Sequence, residues 1–161
     1  MSTPVLDRIG NGILSRTLAE GYGPGAWHGS DLKASIADVS PAMAFRRPAA
    51  GRHNIAEIVL HHAYCVHDVR GRISGTATEP FALDGGDWAE LNDNSAVSWP
   101  RIAEIVDAEQ RQLGEAVAAV GAGASSPLSE SERFDLVLGI TAHAIYHAGQ
   151  IQLVKKLVAG S

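Results

Sequence analysis

A chain of 161 residues, 45% hydrophobic and 19% charged, is long enough for one domain with a buried core and requires no second, so residues 1–161 are expected to form a single unit. The net charge is −5, and Lys and Arg stand singly or in pairs such as Arg46-Arg47 and Lys155-Lys156, so there is no basic stripe for a nucleic-acid partner. No run approaches the ~18 apolar residues of a membrane helix, no basic-then-apolar leader opens the chain, and one cysteine, Cys65, allows no internal disulfide framework; the expectation is a soluble, cytoplasmic protein with no membrane partner.

The chain opens on a helical pattern over residues 3 to 20, with Val5, Ile9, Ile13 and Leu18 near helical spacing and Gly21 just past its end. The stretch "GYGPGAWHGS" breaks that pattern, because Gly21, Gly23, Pro24 and Gly25 make a loop carrying Trp27 and His28. Ser30 can then cap a short helix through about Val39, and Ser40-Pro41 ends it or starts another turn. A second long helix begins at Asn54, whose side chain can take the N-cap while Glu57 completes a capping box. It runs to about Ile73, before Ser74-Gly75. Residues 75 to 98, which contain "GTATEPFALDGGDW", read as one long irregular connection, and a loop of that length in a compact domain usually has a function.

A third long helix starts around Pro100, a good first helical residue, and Ile102, Ile105, Val106, Leu113, Val117 and Val120 keep the 3.6 period up to "GAGASSP". The fourth opens on a Ser129 to Glu132 capping box. Its stripe Leu136, Ile140, His143, His147, Ile151, Val154 and Val158 alternates steps of four and three down to Gly160. Four long amphipathic helices without a strand-turn-strand pattern or an internal repeat predict an all-α four-helix bundle with short extra helices in its connections. The cores of such bundles are places where facing side chains build metal sites.

His143 and His147 are four residues apart on the apolar stripe. Two buried imidazoles must each find a partner or leave an unsatisfied polar group at a cost of ~1–3 kcal/mol. From one helix face their ring nitrogens can converge on a single ion, and a third ligand must come from another helix. The second long helix offers His61 and His62, with His67 further along. Periodicity favours His62, which continues the stripe Ile55, Ile58, Val66, Val69 and Ile73, whereas His61 lies at its edge with Cys65 and Asp68.

The segments "HNIAEIVLHHAYCVHDVRGRISG" and "AHAIYHAGQIQLVKKL", supported by "GPGAWHGSDL" and "GGDWAE", resemble the DinB/YfiT-like superfamily. The resemblance covers most of the chain, and "YHAGQI" is its specific part. It implies His61 as the second-helix ligand, against the periodicity, with His143 and His147 as the last-helix pair. It also implies an up-down-down-up bundle, often a homodimer, holding a divalent metal of variable identity, for which imidazole suits Zn, Ni, Fe and Cu. Characterised members include enzymes transferring low-molecular-weight thiols, among them mycothiol-dependent maleylpyruvate isomerases and bacillithiol transferases. The resemblance therefore implies a small-molecule substrate and a metal-dependent transferase or hydrolase with an open coordination position; the alternative is a non-catalytic, metal-binding or stress-related dimer.

Other residues have a structural reading beside a functional one. Glu57 could orient an imidazole or act as a base, but its capping role already explains it. Gln150, three after His147, could hydrogen-bond a ligand or only serve packing. His28 could reach the pocket mouth or stay solvated, Tyr146 could donate to a substrate or simply pack, and Cys65 reads as a small core residue. Leu138, Ile145 and Leu153 lie off the main stripe of the fourth helix, leaving apolar surface that a homodimer would cover.

Overall fold

The structure is a computed structural model that describes residues 5–76, 78–84 and 86–160, with the side chains of the first helix from Gly12 onward. Among the described residues the fold is all-helical, with four long helices and two short ones. These are α1 (Val5–Tyr22), α2 (Leu32–Ile36), α3 (Pro41–Phe45), α4 (Ile55–Ser74), α5 (Trp99–Gly121) and α6 (Glu130–Ala159). The expected helix start at residue 3 and the inward facing of Val5 and Ile9 lie outside the described residues.

Local chemistry sets most boundaries. Asp31, not Ser30, caps α2: its Oδ1 accepts from the Ala34 amide at 2.9 Å. The glycine-rich loop makes room for that carboxylate, because a Cβ on Gly23, at φ 93°, would lie 2.3 Å from Asp31 Oδ2. Ser40 caps α3 directly, so Ser40-Pro41 starts a new helix and α2 ends at Ile36, short of Val39. Both capping boxes form, Asn54 with Glu57 and Ser129 with Glu132. Ser98 caps α5, placing Trp99 first and Pro100 second. Gly75 ends α4 in the left-handed conformation at φ 65°, and a Cβ there would stand 2.5 Å from Pro127 Cδ.

Helix α4 packs against α5 and α6, α1 packs against the same two, and α2 lies on α6. One part of the core gathers Leu32, Ile55, Ile58, Ile102, Ile151 and Val154. Another gathers Val66, Ile73, Leu113, Val117, Val137 and Ile140. Along α4 and α6 the histidines fall at the junction of these two clusters. The predicted stripe of α4 is buried, with His62 at 0% exposure.

The long connection is tied down by one carboxylate. Glu57, 2% exposed, accepts from Arg47 through both oxygens, from the Leu91 amide at 2.9 Å and from the Asn54 amide at 3.4 Å, and it meets His53 Nδ1 at 2.8 Å. The Asn54 amide group donates to the Leu91 carbonyl at 2.8 Å, so the α4 N-terminus grips both sides of the Leu91 backbone. Residues just before Leu91 are thereby brought against α4.

Burial pushes the Glu57 carboxyl up, but hydrogen bonds from Arg47, the Leu91 amide and His53 outweigh burial and hold it below the usual carboxylate value of 4.5. A lowered folded value means that the unfolded chain binds this proton more readily. The resulting stability is present above about pH 4.5 and is lost as pH falls toward the folded value. Urea titrations should show the unfolding free energy falling as pH drops below about 4.5. Glu57→Gln should flatten that slope while costing ~1.5–3 kcal/mol at neutral pH, the scale of hydrogen bonds to a charged group.

Candidate metal centre

His61 sits on the second turn of α4, and His143 and His147 are one turn apart on α6. Their rings converge through one kind of atom: His61 Nε2 lies 3.1 Å from His143 Nε2, which lies 3.2 Å from His147 Nε2. His61 and His147 are 8% and 3% exposed, and His143 is partly buried.

The opposite side of each outer ring is committed. His61 Nδ1 donates to Asp87, whose Oδ1 lies 2.6 Å away and whose carbonyl lies 3.2 Å away. His147 Nδ1 donates to Gln150 Oε1 at 2.8 Å. These bonds fix the ring protons on Nδ1 and leave the lone pairs of both Nε2 atoms facing the common centre. Burial pushes His147 below the usual imidazole value, and burial, aided by His147 and His61, pushes His143 down to about 4. At neutral pH both rings are uncharged, the state in which imidazole binds metal.

This donor set fits a divalent ion. Nitrogens bound at ~2.0–2.1 Å in a tetrahedral array stand about 3.3–3.4 Å apart, close to the two spacings that His143 Nε2 makes, and ligand atoms of all three rings lie within 4.8 Å of one another. Without a cation the geometry is poorly matched: two Nε2 lone pairs face His143 Nε2, which carries at most one proton.

Loop residues complete the surroundings. Trp88 is sandwiched between His61, centroids 3.9 Å apart, and His53, 4.0 Å apart, and stands nearly perpendicular to the His147 ring with centroids 6.3 Å apart. Cys65 Sγ lies 3.9 Å from His61 Nε2 and 3.8 Å from Asp87 Oδ1. Burial, with help from the Asp87 and Asp68 charges, pushes its thiol up to about 12, which favours the protonated form.

The adjacent histidines of α4 thus have different places. His62 is fully buried, as the stripe indicates, but it sits behind His143, with its Nδ1 2.9 Å from His143 Nδ1 and its Nε2 2.8 Å from Gln110 Nε2. Periodicity reads burial, whereas His61 at the stripe's edge faces the cluster. His67 belongs to a separate group with Glu109 and Thr78, at 3.0 and 3.3 Å. His67, Glu79 and Glu109 come near enough together to hold an ion, but the Arg70 guanidinium, 2.8 Å from Glu79 and 3.4 Å from Glu109, already supplies the cation there.

Among the other candidates, Gln150 does hold His147, whereas the carboxylate of Glu57 is spent on loop anchoring and reaches the cluster only through His53 and Trp88. His28 Nε2 lies 2.7 Å from the Glu20 carbonyl on the surface, and Tyr146 is exposed with its ring 5.0 Å from that of His147. Sequence reasoning missed the parts played by Asp87, Trp88 and Gln110. Asp87 and Trp88 lie in the conspicuous "GGDWAE", and a hydrogen-bonding residue beside an aromatic in a long connection was the available signal.

A family model described as the DinB superfamily matches residues 26–151. No curated protein and no solved structure matches the chain. The matched span includes all three converging histidines as well as Asp87, Trp88 and Gln150, and takes in well over half the sequence. The chain belongs to the DinB superfamily.

Proposed function

We propose that His61, His143 and His147 hold one divalent ion, and that the protein is a metal-dependent enzyme of the thiol-transfer or hydrolytic type. The observation that carries this reading is the convergence of three imidazole Nε2 atoms, with His143 Nε2 3.1 Å from His61 Nε2 and 3.2 Å from His147 Nε2. When bound, the ion would supply Lewis acidity and lower the pKa of a water or thiol, and three protein donors leave a position open for such a ligand. Asp87 and Gln150 hold two rings in the productive tautomer, and Trp88 covers one face of His61. A small-molecule substrate, with a low-molecular-weight thiol as cosubstrate, follows from the family resemblance.

The reading extends to architecture and location. An up-down-down-up bundle is supported by which helix ends meet: Ile55 shares a cluster with Trp99 and Val158, and Leu14 and Leu18 pack with Val137 and Ile140. No helix among the described residues is long and apolar enough to cross a membrane. A cytoplasmic location would keep Cys65 a thiol.

The outer face of α6 exposes Phe134, Leu138, Leu153 and Leu157, supporting a homodimer through that helix. Ile145 is partly buried and contributes less.

Protein purified without chelator or polyhistidine tag should contain about one divalent ion per chain by elemental analysis. His61→Ala should weaken binding by more than the ~10–100-fold typical of losing an outer hydrogen-bond partner. Absence of stoichiometric metal, with no uptake on titration, would sink the proposal. A screen of low-molecular-weight thiols against electrophilic acceptors should reveal turnover that chelation abolishes and metal restores; metal binding without turnover would leave an ion that only ties α4 to α6. In sedimentation equilibrium at tens of micromolar the chain should behave as a dimer, and Leu138→Glu combined with Leu153→Glu should yield a helical monomer.

A further inference from the structure

The metal reading leaves one ring proton in the wrong place. Gln110 Nε2 lies 2.8 Å from His62 Nε2, and an amide nitrogen can only donate, so His62 Nε2 accepts. Neutral His62 then carries its proton on Nδ1 and donates it to His143 Nδ1 at 2.9 Å. His143, accepting at Nδ1, must carry its own proton on Nε2, the atom that faces His61 and His147. As arranged, the middle nitrogen of the cluster presents a hydrogen, not a lone pair.

We infer that His143, His62 and Gln110 form a tautomer relay in which His62 is a positioning residue that turns His143 between a metal-free and a metal-accepting state. The inference rests on the metal reading above. On ion entry the proton leaves His143 Nε2. The His62 Nδ1 proton passes to His143 Nδ1, which now donates back to His62 Nδ1. A proton is taken up at His62 Nε2, and the Gln110 amide turns over to accept it at Oε1. One proton has left the pair and one has arrived, so two neutral rings hold two ring protons before and after.

Three observations support this use of His62. It is the one fully buried histidine, with 0% exposure, and both of its ring nitrogens have hydrogen-bond partners, His143 Nδ1 on one side and Gln110 Nε2 on the other. His61 Nδ1 and His147 Nδ1 face the oxygens of Asp87 and Gln150, which set their tautomers as arranged, whereas His143 is backed by a ring that can either donate or accept. Gln110 is partly exposed and lines a separate cleft of about 350 Å³ with Ser15, Tyr22, Lys33 and Asp107, where the turned amide and the arriving proton meet solvent.

The test uses the full chain, ¹⁵N-labelled on histidine, stripped of metal and then titrated with zinc alone. Two-dimensional ¹⁵N correlation spectra distinguish the protonated from the unprotonated ring nitrogen. Metal-free protein should show His62 protonated on Nδ1, and zinc-loaded protein should show it protonated on Nε2. Gln110→Glu, whose carboxylate only accepts, should show the Nε2 tautomer before zinc is added and retain or tighten binding. Gln110→Leu should bind ~10-fold or more weakly, within the range for losing an outer hydrogen-bond partner. A merely structural Gln110 would weaken binding in both variants and leave the His62 tautomer unmoved. Zinc uptake with an unchanged His62 tautomer overturns the relay alone; no zinc uptake by the wild-type chain overturns the metal reading and the relay with it. Gln110 is partly exposed and His62 is left intact, so these variants test the relay without emptying the core.

Discussion

The Glu57 carboxylate, almost wholly out of water, gathers Arg47, His53 and the amides of Asn54 and Leu91 around two oxygens. A buried charge left unpaired is costly, whereas one ringed by donors fixes whatever carries them. Here the donors come from three places: the segment after α3, the start of α4 and the end of the long connection. Their shared acceptor makes that connection a defined structure despite its lack of helix. Asp87 and Trp88 reach His61 with Leu91, four and three residues on, tied to Glu57 and Asn54 through both its amide and its carbonyl.

The histidine cluster occupies a position the apolar core has given up. Packing two helices at mid-length would ordinarily interdigitate aliphatic side chains, and the stripes of α4 and α6 do so above and below the rings. Between them stand four imidazoles whose nearest approaches are nitrogen to nitrogen. Such an arrangement holds only if each nitrogen's role as donor or acceptor is assigned. Asp87, Gln150 and Gln110 make those assignments from outside the cluster, and so belong to the site as much as the rings do.

Where a local rule governs, the sequence could be read directly. Asn54 with Glu57 and Ser129 with Glu132 cap as their spacing requires, Gly75 closes α4, and the aliphatic stripes of α4, α5 and α6 are buried except at Val120 and Leu136, which are partly buried. Asp31 rather than Ser30 takes the cap, with Gly23 close against its carboxylate, a contact eight residues away that no capping preference encodes. Periodicity could not separate His61 from His62 for a different reason: both are buried, and burial does not say which ring presents its Nε2 to His143 Nε2. Asp87 and Trp88 offered only their composition, because a loop has no period to say which way they face, and Gln110 offered nothing, because its partner is a ring on another helix.

His61 and His143 are 82 positions apart in the chain. His143 and His147 can approach one another on any isolated turn of helix, but His61 joins them only when α4 and α6 are packed. In the unfolded chain, closing that separation costs on the order of 4 kcal/mol of chain entropy, from the logarithmic dependence on loop length. An ion held by all three rings therefore discriminates sharply between native and unfolded chains, and by mass action it draws the population toward the native form. On this reading, metal supply becomes a determinant of how long each molecule survives proteolysis, and the chain would be cleared fastest when the ion is scarce.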